Sequence, residues 1–173
     1  MHDTASLFKA TFFQQQASDR PAYPHMLTSA SKGTFTSWYQ EIKTTVSSAV
    51  GDSISVQVAL EDNRPQGEQG YLFKQLLFDG EVVWEADIGA DGAAPQTITR
   101  ALEARGTAAQ ISVRLHARKA SWIQAKVYAG TPEVTVNGQP VAATWQFDSG
   151  LSRLAELQQI YDTTRSVIRG TVP

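Results

Sequence analysis

The chain contains no cysteine among its 173 residues. Disulfides, thiolate nucleophiles and cysteine-based zinc sites are therefore excluded. Histidine is scarce too, and the three that occur, His2, His25 and His116, are scattered without ligand spacing. The sequence therefore predicts no zinc site.

Charged residues are also few, at 18% of the chain, and the formal net charge is −2. No region carries a block of lysine or arginine, so we expect no nucleic-acid partner. No apolar run approaches the roughly 20 residues that span a bilayer. The N-terminus lacks a basic stretch before its short apolar run and does not resemble a signal peptide. The compartment stays open: extracellular or periplasmic for a domain of a longer secreted protein, and otherwise cytoplasmic.

The sequence does contain the two-residue alternation that is typical of β-strands. Residues 53–60 show it most clearly, because four aliphatic side chains alternate there with small or polar ones. Short strands with frequent turn signals, and no helices between them, favour an antiparallel β-sandwich or a β-barrel. Runs with similar patterns predict further strands at 34–46, 71–78, 81–88, 96–102, 110–117 and 122–128.

Two dipeptides are typical of tight hairpin turns. Asp79-Gly80 and Asn137-Gly138 each lie between strand-like runs. Both dipeptides tolerate the positive φ angles that a two-residue hairpin requires. The sequence therefore predicts a central hairpin around residue 80 and a second hairpin around residue 138.

The last segment follows a helical period instead. Between 151 and 169, apolar side chains recur at intervals of three and four residues. Ser149 or Asp148 supplies a cap, and Gly170 is typical of a helix end. We therefore predict a C-terminal α-helix over 151–169. Its apolar stripe packs on the β-domain, on a neighbouring domain or on a second copy of the chain.

The length fits a single domain. We divide residues 1–173 into an N-terminal segment and loop at 1–33, a β-sandwich at 34–147, and a helix and tail at 148–173. Residues 4–17 fit either a helix or a first strand. The segment that follows, up to residue 33, holds two prolines and many small polar residues, as a loop does.

Part of the chain resembles the galactose-binding-like jelly roll of carbohydrate-binding modules in bacterial glycoside hydrolases and polysaccharide lyases. The similar elements are a polar loop at 61–70, a strand with Lys74 and Gln75, the Asp79-Gly80 hairpin with Val82-Val83-Trp84-Glu85, and the strand Ile111-Ser112-Val113-Arg114-Leu115. The resemblance covers roughly residues 34–147. It implies sugar binding in loops at one end of the sandwich or on a concave sheet face.

We predict no cofactor. Structural calcium is frequent in the family that the chain resembles, and Asp91 with the carbonyls of 89–93 is the candidate position. That segment lacks the acidic density of a calcium loop, so the sequence itself does not indicate one.

Aromatic side chains are the first candidates for sugar contacts, because the C–H faces of sugar rings stack on them. Trp38 and Trp122 have neighbours of mixed polarity and are the better ligand candidates. Trp84 and Trp145 lie among apolar residues, and we assign them to the core.

The polar loop after the clearest strand supplies a second group of candidates. Asp62, Asn63 and Arg64 combine a carboxylate, an amide and a guanidinium. These groups suit bidentate hydrogen bonding to vicinal hydroxyls or to a uronate. The alternative is an ordinary solvated loop.

A third group depends on strand pairing. If 71–78 and 110–117 are neighbours, one sheet face can carry a cationic strip suited to an acidic polysaccharide, formed by Lys74, Arg114, His116 and Arg118. The alternative is that Glu41 and Glu85 neutralise these cations by cross-strand pairing, the more common outcome for exposed charges.

The sequence favours a non-catalytic carbohydrate-binding module with a polysaccharide or oligosaccharide as partner. No GxSxG motif occurs, and nothing singles out one pair among the 17 acidic residues. The first alternative is a structural or assembly domain that docks on a neighbour or forms a homo-oligomer through 151–169. The second is a small polysaccharide lyase or hydrolase; a lyase site would use Lys74, Arg114, His116 and Tyr128.

Overall fold

The computed structural model describes residues 16–30, 38–63, 69–91, 95–118 and 124–151. Within these ranges the protein is almost entirely β-structure, with a single short helix. The elements are β1 (Gln16–Ala17), β2 (His25–Ala30), β3 (Trp38–Ser47), β4 (Ser53–Asp62), β5 (Leu72–Phe78), β6 (Glu81–Asp87), α1 (Ile88–Asp91), β7 (Gln96–Glu103), β8 (Ala108–Ala117), β9 (Gln124–Ala129), β10 (Glu133–Val136), β11 (Gln139–Val141) and β12 (Gln146–Leu151).

The strands form two antiparallel sheets. The five-stranded sheet has the order β12-β3-β8-β5-β6, so β8 lies at its centre. The seven-stranded sheet has the order β1-β2-β9-β4-β10-β11, with β7 paired along β4. The predicted mainly β, antiparallel sandwich architecture is therefore confirmed for the described residues.

The core lies between the two sheets. The alternation predicted for residues 53–60 is confirmed, since Ile54, Val56, Val58 and Leu60 are at most 1% exposed and the residues that alternate with them are not buried. From the opposite sheet, Ile111 and Leu115 fill the same core. Burying one such aliphatic side chain contributes about 1.5–3 kcal/mol, so this two-sided packing is the main source of stability. Trp84 and Trp145 pack against the core, as predicted.

Both predicted hairpin turns are confirmed. Asp79 and Gly80 have φ angles of 48° and 82° between β5 and β6. Asn137 and Gly138 have φ angles of 50° and 78° between β10 and β11. Two successive positive φ angles match the right-handed twist of the flanking strands, which explains why these dipeptides occur there.

Two predictions for the ends of the domain are wrong. The segment assigned to a loop at 18–33 contains β2, which pairs with β9 along six residues. Asp148 and Ser149, the predicted helix caps, lie within β12, where they pair with Glu41 and Gln40 of β3. Both strands are held by partners distant in the sequence, so no local pattern marks them.

Other predictions for the ends concern residues outside the described ranges. They are the helix beyond Leu151 and most of the segment at 4–17. Among the residues that the structure does describe, no helix is long and apolar enough to cross a lipid bilayer.

Candidate ligand-binding face

One end of the sandwich collects most of the predicted ligand residues. Trp38 begins β3 opposite Ala117, at the point where β8 ends. Asp62 is the last residue of β4 and lies at the same end of the molecule. Its carboxylate accepts a hydrogen bond from Lys74, which is close to the start of β5. His116, Arg118 and Asn63 are therefore brought to this end as well. Arg64 and Trp122 lie outside the described residues, and for Trp38 only the backbone is described.

Lys74 and Asp62 form an ion pair inside the core. The Lys74 Nζ atom lies 2.9 Å from Asp62 Oδ2, and both side chains are 0% exposed. The pair joins β5 of one sheet to β4 of the other. The prediction that Lys74 shares a polar sheet face with Arg114 and His116 is wrong, because Lys74 points between the sheets. In this conformation neither Lys74 nor Asp62 is accessible to a polysaccharide.

Asn63 holds the end of β4 against β9. Its side-chain Oδ1 accepts a hydrogen bond of 2.8 Å from the backbone N–H of Lys126. Its own N–H donates to the Lys126 carbonyl at 3.1 Å. These bonds fix the backbone at the end of β4, so Asn63 has a structural role here.

The outer face of the five-stranded sheet presents polar and aromatic side chains around its central strand. The strand register places Tyr39, His116 and Phe73 in one row across the sheet. The next row contains Glu41, Arg114, Gln75 and Glu85. We call this surface the β8 face, formed by Tyr39, Glu41, Phe73, Gln75, Glu85, Arg114, His116 and Arg118.

The cations of the β8 face are paired with carboxylates. Arg114 Nε lies 2.8 Å from Glu41 Oε2, and Arg118 Nη2 lies 2.5 Å from Glu85 Oε2. The prediction that Glu41 and Glu85 neutralise these cations is therefore confirmed. Glu41 and Arg114 lie directly opposite each other on neighbouring strands, where the register brings opposite charges together. Arg118 follows the end of β8 and reaches Glu85 of β6 past the intervening strand β5.

Both arginines also cover aromatic rings. The Arg114 guanidinium carbon lies 4.2 Å from the ring centroid of Tyr39. The Arg118 guanidinium carbon lies 3.9 Å from that of Phe73. Stacking on a ring holds a planar guanidinium in place, so the donors of both arginines are oriented before a ligand arrives.

Gly150 of β12 makes room for the Tyr39 ring. A Cβ atom added to Gly150 would lie 3.1 Å from the Tyr39 hydroxyl oxygen. A larger residue at this position would therefore push the ring away from its site beside Arg114.

Gln75 contributes a buried hydrogen-bonding group to the β8 face. The side chain is only 1% exposed, and its Nε2 atom donates to Glu85 Oε2 at 3.0 Å. Its Oε1 atom has no hydrogen-bond partner in the structure. Because a carboxylate only accepts, the amide N–H must face Glu85, and the carbonyl oxygen must point elsewhere.

His116 lies between the two arginines in sequence and shares their face. Burial, with further contributions from Arg114 and Arg118, lowers its pKa from 6.5 to about 4. The imidazole is therefore neutral at pH 7 and adds a hydrogen-bonding group, not a charge.

The residues of the predicted lyase site are not brought together. Lys74 lies in the core, whereas Arg114 and His116 lie on the β8 face. Tyr128 lies on the outer face of the other sheet, where the Arg20 guanidinium carbon is 4.0 Å from its ring centroid. Within the described residues, no group of three or more His, Asp or Glu side chains is arranged to hold a metal ion.

Sequence reasoning did not assign Tyr39 or Gln75 to the site. Gln75 was part of the family resemblance only, and Tyr39 was one of several aromatic residues of its strand. What places both residues on this face is the pairing of their strands, β3 and β5, with β8. The sequence alone does not show which strands are neighbours.

No model of a known protein family matches the chain, and no curated protein matches its sequence.

Proposed function

We propose that the protein is a non-catalytic carbohydrate-binding module that binds a glycan at the β8 face. The observation that carries the proposal is the set of hydrogen-bonding side chains on one sheet face across four neighbouring strands, of which Arg114, Arg118 and Glu85 are partly exposed. The galactose-binding-like jelly-roll topology is part of the same proposal, and the two antiparallel sheets are consistent with it.

Sugar hydroxyls both donate and accept hydrogen bonds, and the β8 face offers both kinds of partner. Arg114 and Arg118 supply donors, and the partly exposed Glu85 supplies an acceptor beside Arg118. Each arginine already forms an ion pair and stacks on an aromatic ring, so binding costs little side-chain entropy. Rigid placement on strands also favours selection among hydroxyl arrangements.

The proposed site keeps three residues of the cationic strip predicted from sequence, Arg114, His116 and Arg118. It adds Tyr39, and Gln75 as the buried support of Glu85. The rings of Tyr39 and Phe73 are covered by arginines, so aromatic stacking on a sugar ring stays assigned to Trp38 and Trp122 as a proposal.

The test is affinity electrophoresis against a panel of polysaccharides, followed by titration calorimetry with the polysaccharide that retards the protein most. We expect Arg118→Ala to weaken binding about tenfold, because a hydrogen bond to a charged donor contributes about 1.5–3 kcal/mol.

A matched control is available at the opposite end of β8. Arg105 also forms an ion pair, 2.9 Å from Glu81, and is even more exposed than Arg118. Arg105→Ala should leave binding unchanged. Equal losses in both variants, or retardation by no polysaccharide, would overturn the proposal.

A further inference from the structure

We infer that the segment 152–169 docks on the outer face of the five-stranded sheet and covers the middle of that face. The covered area, formed by Gln75, Leu77 and Ser112, is called the Leu77 patch. The inference is drawn from burial and topology, and it does not depend on glycan binding.

The outer side of β5 is buried although it faces away from the core. Leu76 and Phe78 belong to the core between the sheets. Gln75 and Leu77 alternate with them along the strand and therefore point to the outer face. Gln75 is 1% exposed, Leu77 is 2% exposed, and Ser112, which pairs with Leu77 on β8, is 5% exposed. A strand with one face in water alternates between buried and exposed residues, so a further layer lies over the outer side of β5.

The described elements do not supply that layer. The seven-stranded sheet lies on the other side of β5, across the core. The short helix α1 follows β6 where Asp87 pairs with Phe73, about 13 Å along the strand from Leu77. Within the described ranges, no helix or strand is therefore placed over Leu77. Because these exposures are those of a single chain, the layer belongs to a part of the chain outside those ranges.

The residues around the Leu77 patch indicate the side from which the layer enters. Val82 of the edge strand β6 pairs with Leu77, but it is 46% exposed. The layer thus ends before β6. The opposite edge of the sheet is β12, and the chain continues from there at residue 152. Arg118 and Glu85 also stay partly exposed, so the layer borders the proposed glycan site and leaves it accessible.

The segment 152–169 has the length and the pattern that this position requires. β12 and β5 are three strand spacings apart, about 14 Å, and a helix of this length extends about 27 Å. Leu154, Leu157, Ile160 and Tyr161 recur at helical spacing and form an apolar stripe that can pack on Leu77. The stretch 1–15 is also apolar in part, but it leads into β1 at an edge of the seven-stranded sheet.

Single cysteines in the full chain test the burial, because the natural sequence has none. Three positions on β8 are compared: Ser112→Cys in the Leu77 patch, Gln110→Cys at an exposed position of the same face, and Val113→Cys in the core. We expect the thiol at 112 to react with a disulfide reagent at least about 30-fold more slowly than the thiol at 110, because it reacts only after local opening.

Substitutions in the apolar stripe test the occupant. Leu157→Ala with Ile160→Ala should raise the rate at position 112 at least about tenfold and leave the rate at position 113 unchanged. The matched control is Gln159→Ala with Asp162→Ala, on the opposite side of the predicted helix, which should change neither rate. If positions 112 and 113 lose protection together, the whole domain has opened, and the disulfide experiment below decides.

A disulfide identifies the occupant directly. Ser112→Cys is combined in turn with Leu154→Cys, Leu157→Cys or Ile160→Cys and oxidised at low protein concentration. We expect one of these pairs to close within a single chain, as shown by peptide mapping, whereas the pair with Gln159→Cys stays open. A disulfide to Phe12→Cys instead, a disulfide only between two chains, or equal rates at 112 and 110 would overturn the inference. Each of these results leaves the proposed glycan binding standing.

Discussion

His116 shows how the surroundings of a single residue set its chemistry. The imidazole is partly buried beside Arg114 and Arg118, and both burial and the neighbouring positive charges disfavour its protonated form. The same side chain in solution would be half-charged near pH 6.5. On the β8 face it stays neutral, which matters for a surface whose remaining cations are all paired in the described structure.

The lowered pKa of His116 predicts a dependence of stability on pH. Between about pH 6.5 and pH 4 the unfolded chain binds a proton that the folded chain does not, so stability falls as the pH falls. We expect this residue to contribute a loss of about 1–3 kcal/mol across that interval, reduced from the full shift by its partial exposure. Urea unfolding at several pH values measures it.

The control for this prediction is His116→Gln, which cannot titrate. Carboxylates also respond to pH in this range, so the informative quantity is the difference between the two proteins. Parallel stability curves for His116→Gln and the natural sequence between pH 4 and 7 would contradict the prediction.

The central hairpin shows how much of one element is set by a local sequence. Asp79 and Gly80 adopt the two positive φ angles of the turn, which pairs Phe78 with Glu81 and Leu77 with Val82. The register then shifts between Leu76 and Leu77, so the placement of Glu85 opposite Gln75 depends on this irregularity as well as on the turn.

We expect Gly80→Ala to destabilise the protein by about 1–2 kcal/mol, because an alanine at φ 82° brings its Cβ close to the backbone. No other atom lies within 4 Å of the added Cβ, so the effect is purely conformational. Gly106→Ala is the matched control, since Gly106 has equally open surroundings and no positive φ. It should change the free energy of unfolding by less than about 1 kcal/mol. Equal destabilisation by both substitutions would contradict the argument.

At the level of the whole molecule, the Asp62–Lys74 pair joins the two sheets across the core. Burying two charges is costly, and their attraction offsets that cost only while both are present. Gln40 points into the same end of the core, where its Oε1 atom accepts a 2.7 Å hydrogen bond from the Thr28 N–H. This end of the sandwich is therefore held by polar contacts between the two sheets in addition to apolar packing.

We expect Lys74→Met to destabilise the protein by about 3–5 kcal/mol, because Asp62 would remain buried without its cation. The double variant Lys74→Met with Asp62→Leu should recover most of this loss. Guanidinium unfolding measures both changes. Lys43→Met is the control, since the exposed Lys43–Asp148 pair should contribute less than about 1 kcal/mol. A double variant as unstable as the single one would contradict this account.

The resemblance to carbohydrate-binding modules pointed to one end of the sandwich or a sheet face, and the structure brings several of the predicted residues to such an end. It does not give them equal roles. Asp62 and Lys74 bind each other in the core, and Asn63 binds the backbone of β9. His116 and Arg118 remain on the outer surface and belong to the proposed site.

The sequence by itself determined the strands and turns whose signals are local. Alternation marked β4, because one of its faces is buried and the other is more exposed, and positive-φ dipeptides marked both hairpins. The sequence could not determine on which face of its sheet the Lys74 side chain lies. All seven residues of β5 are buried, so the strand does not alternate between a buried and an exposed face. It also missed β2, β12 and the placement of Tyr39 and Gln75 on the same sheet face on either side of β8. These features depend on pairing between distant strands, and only the tertiary structure decides which strands become neighbours.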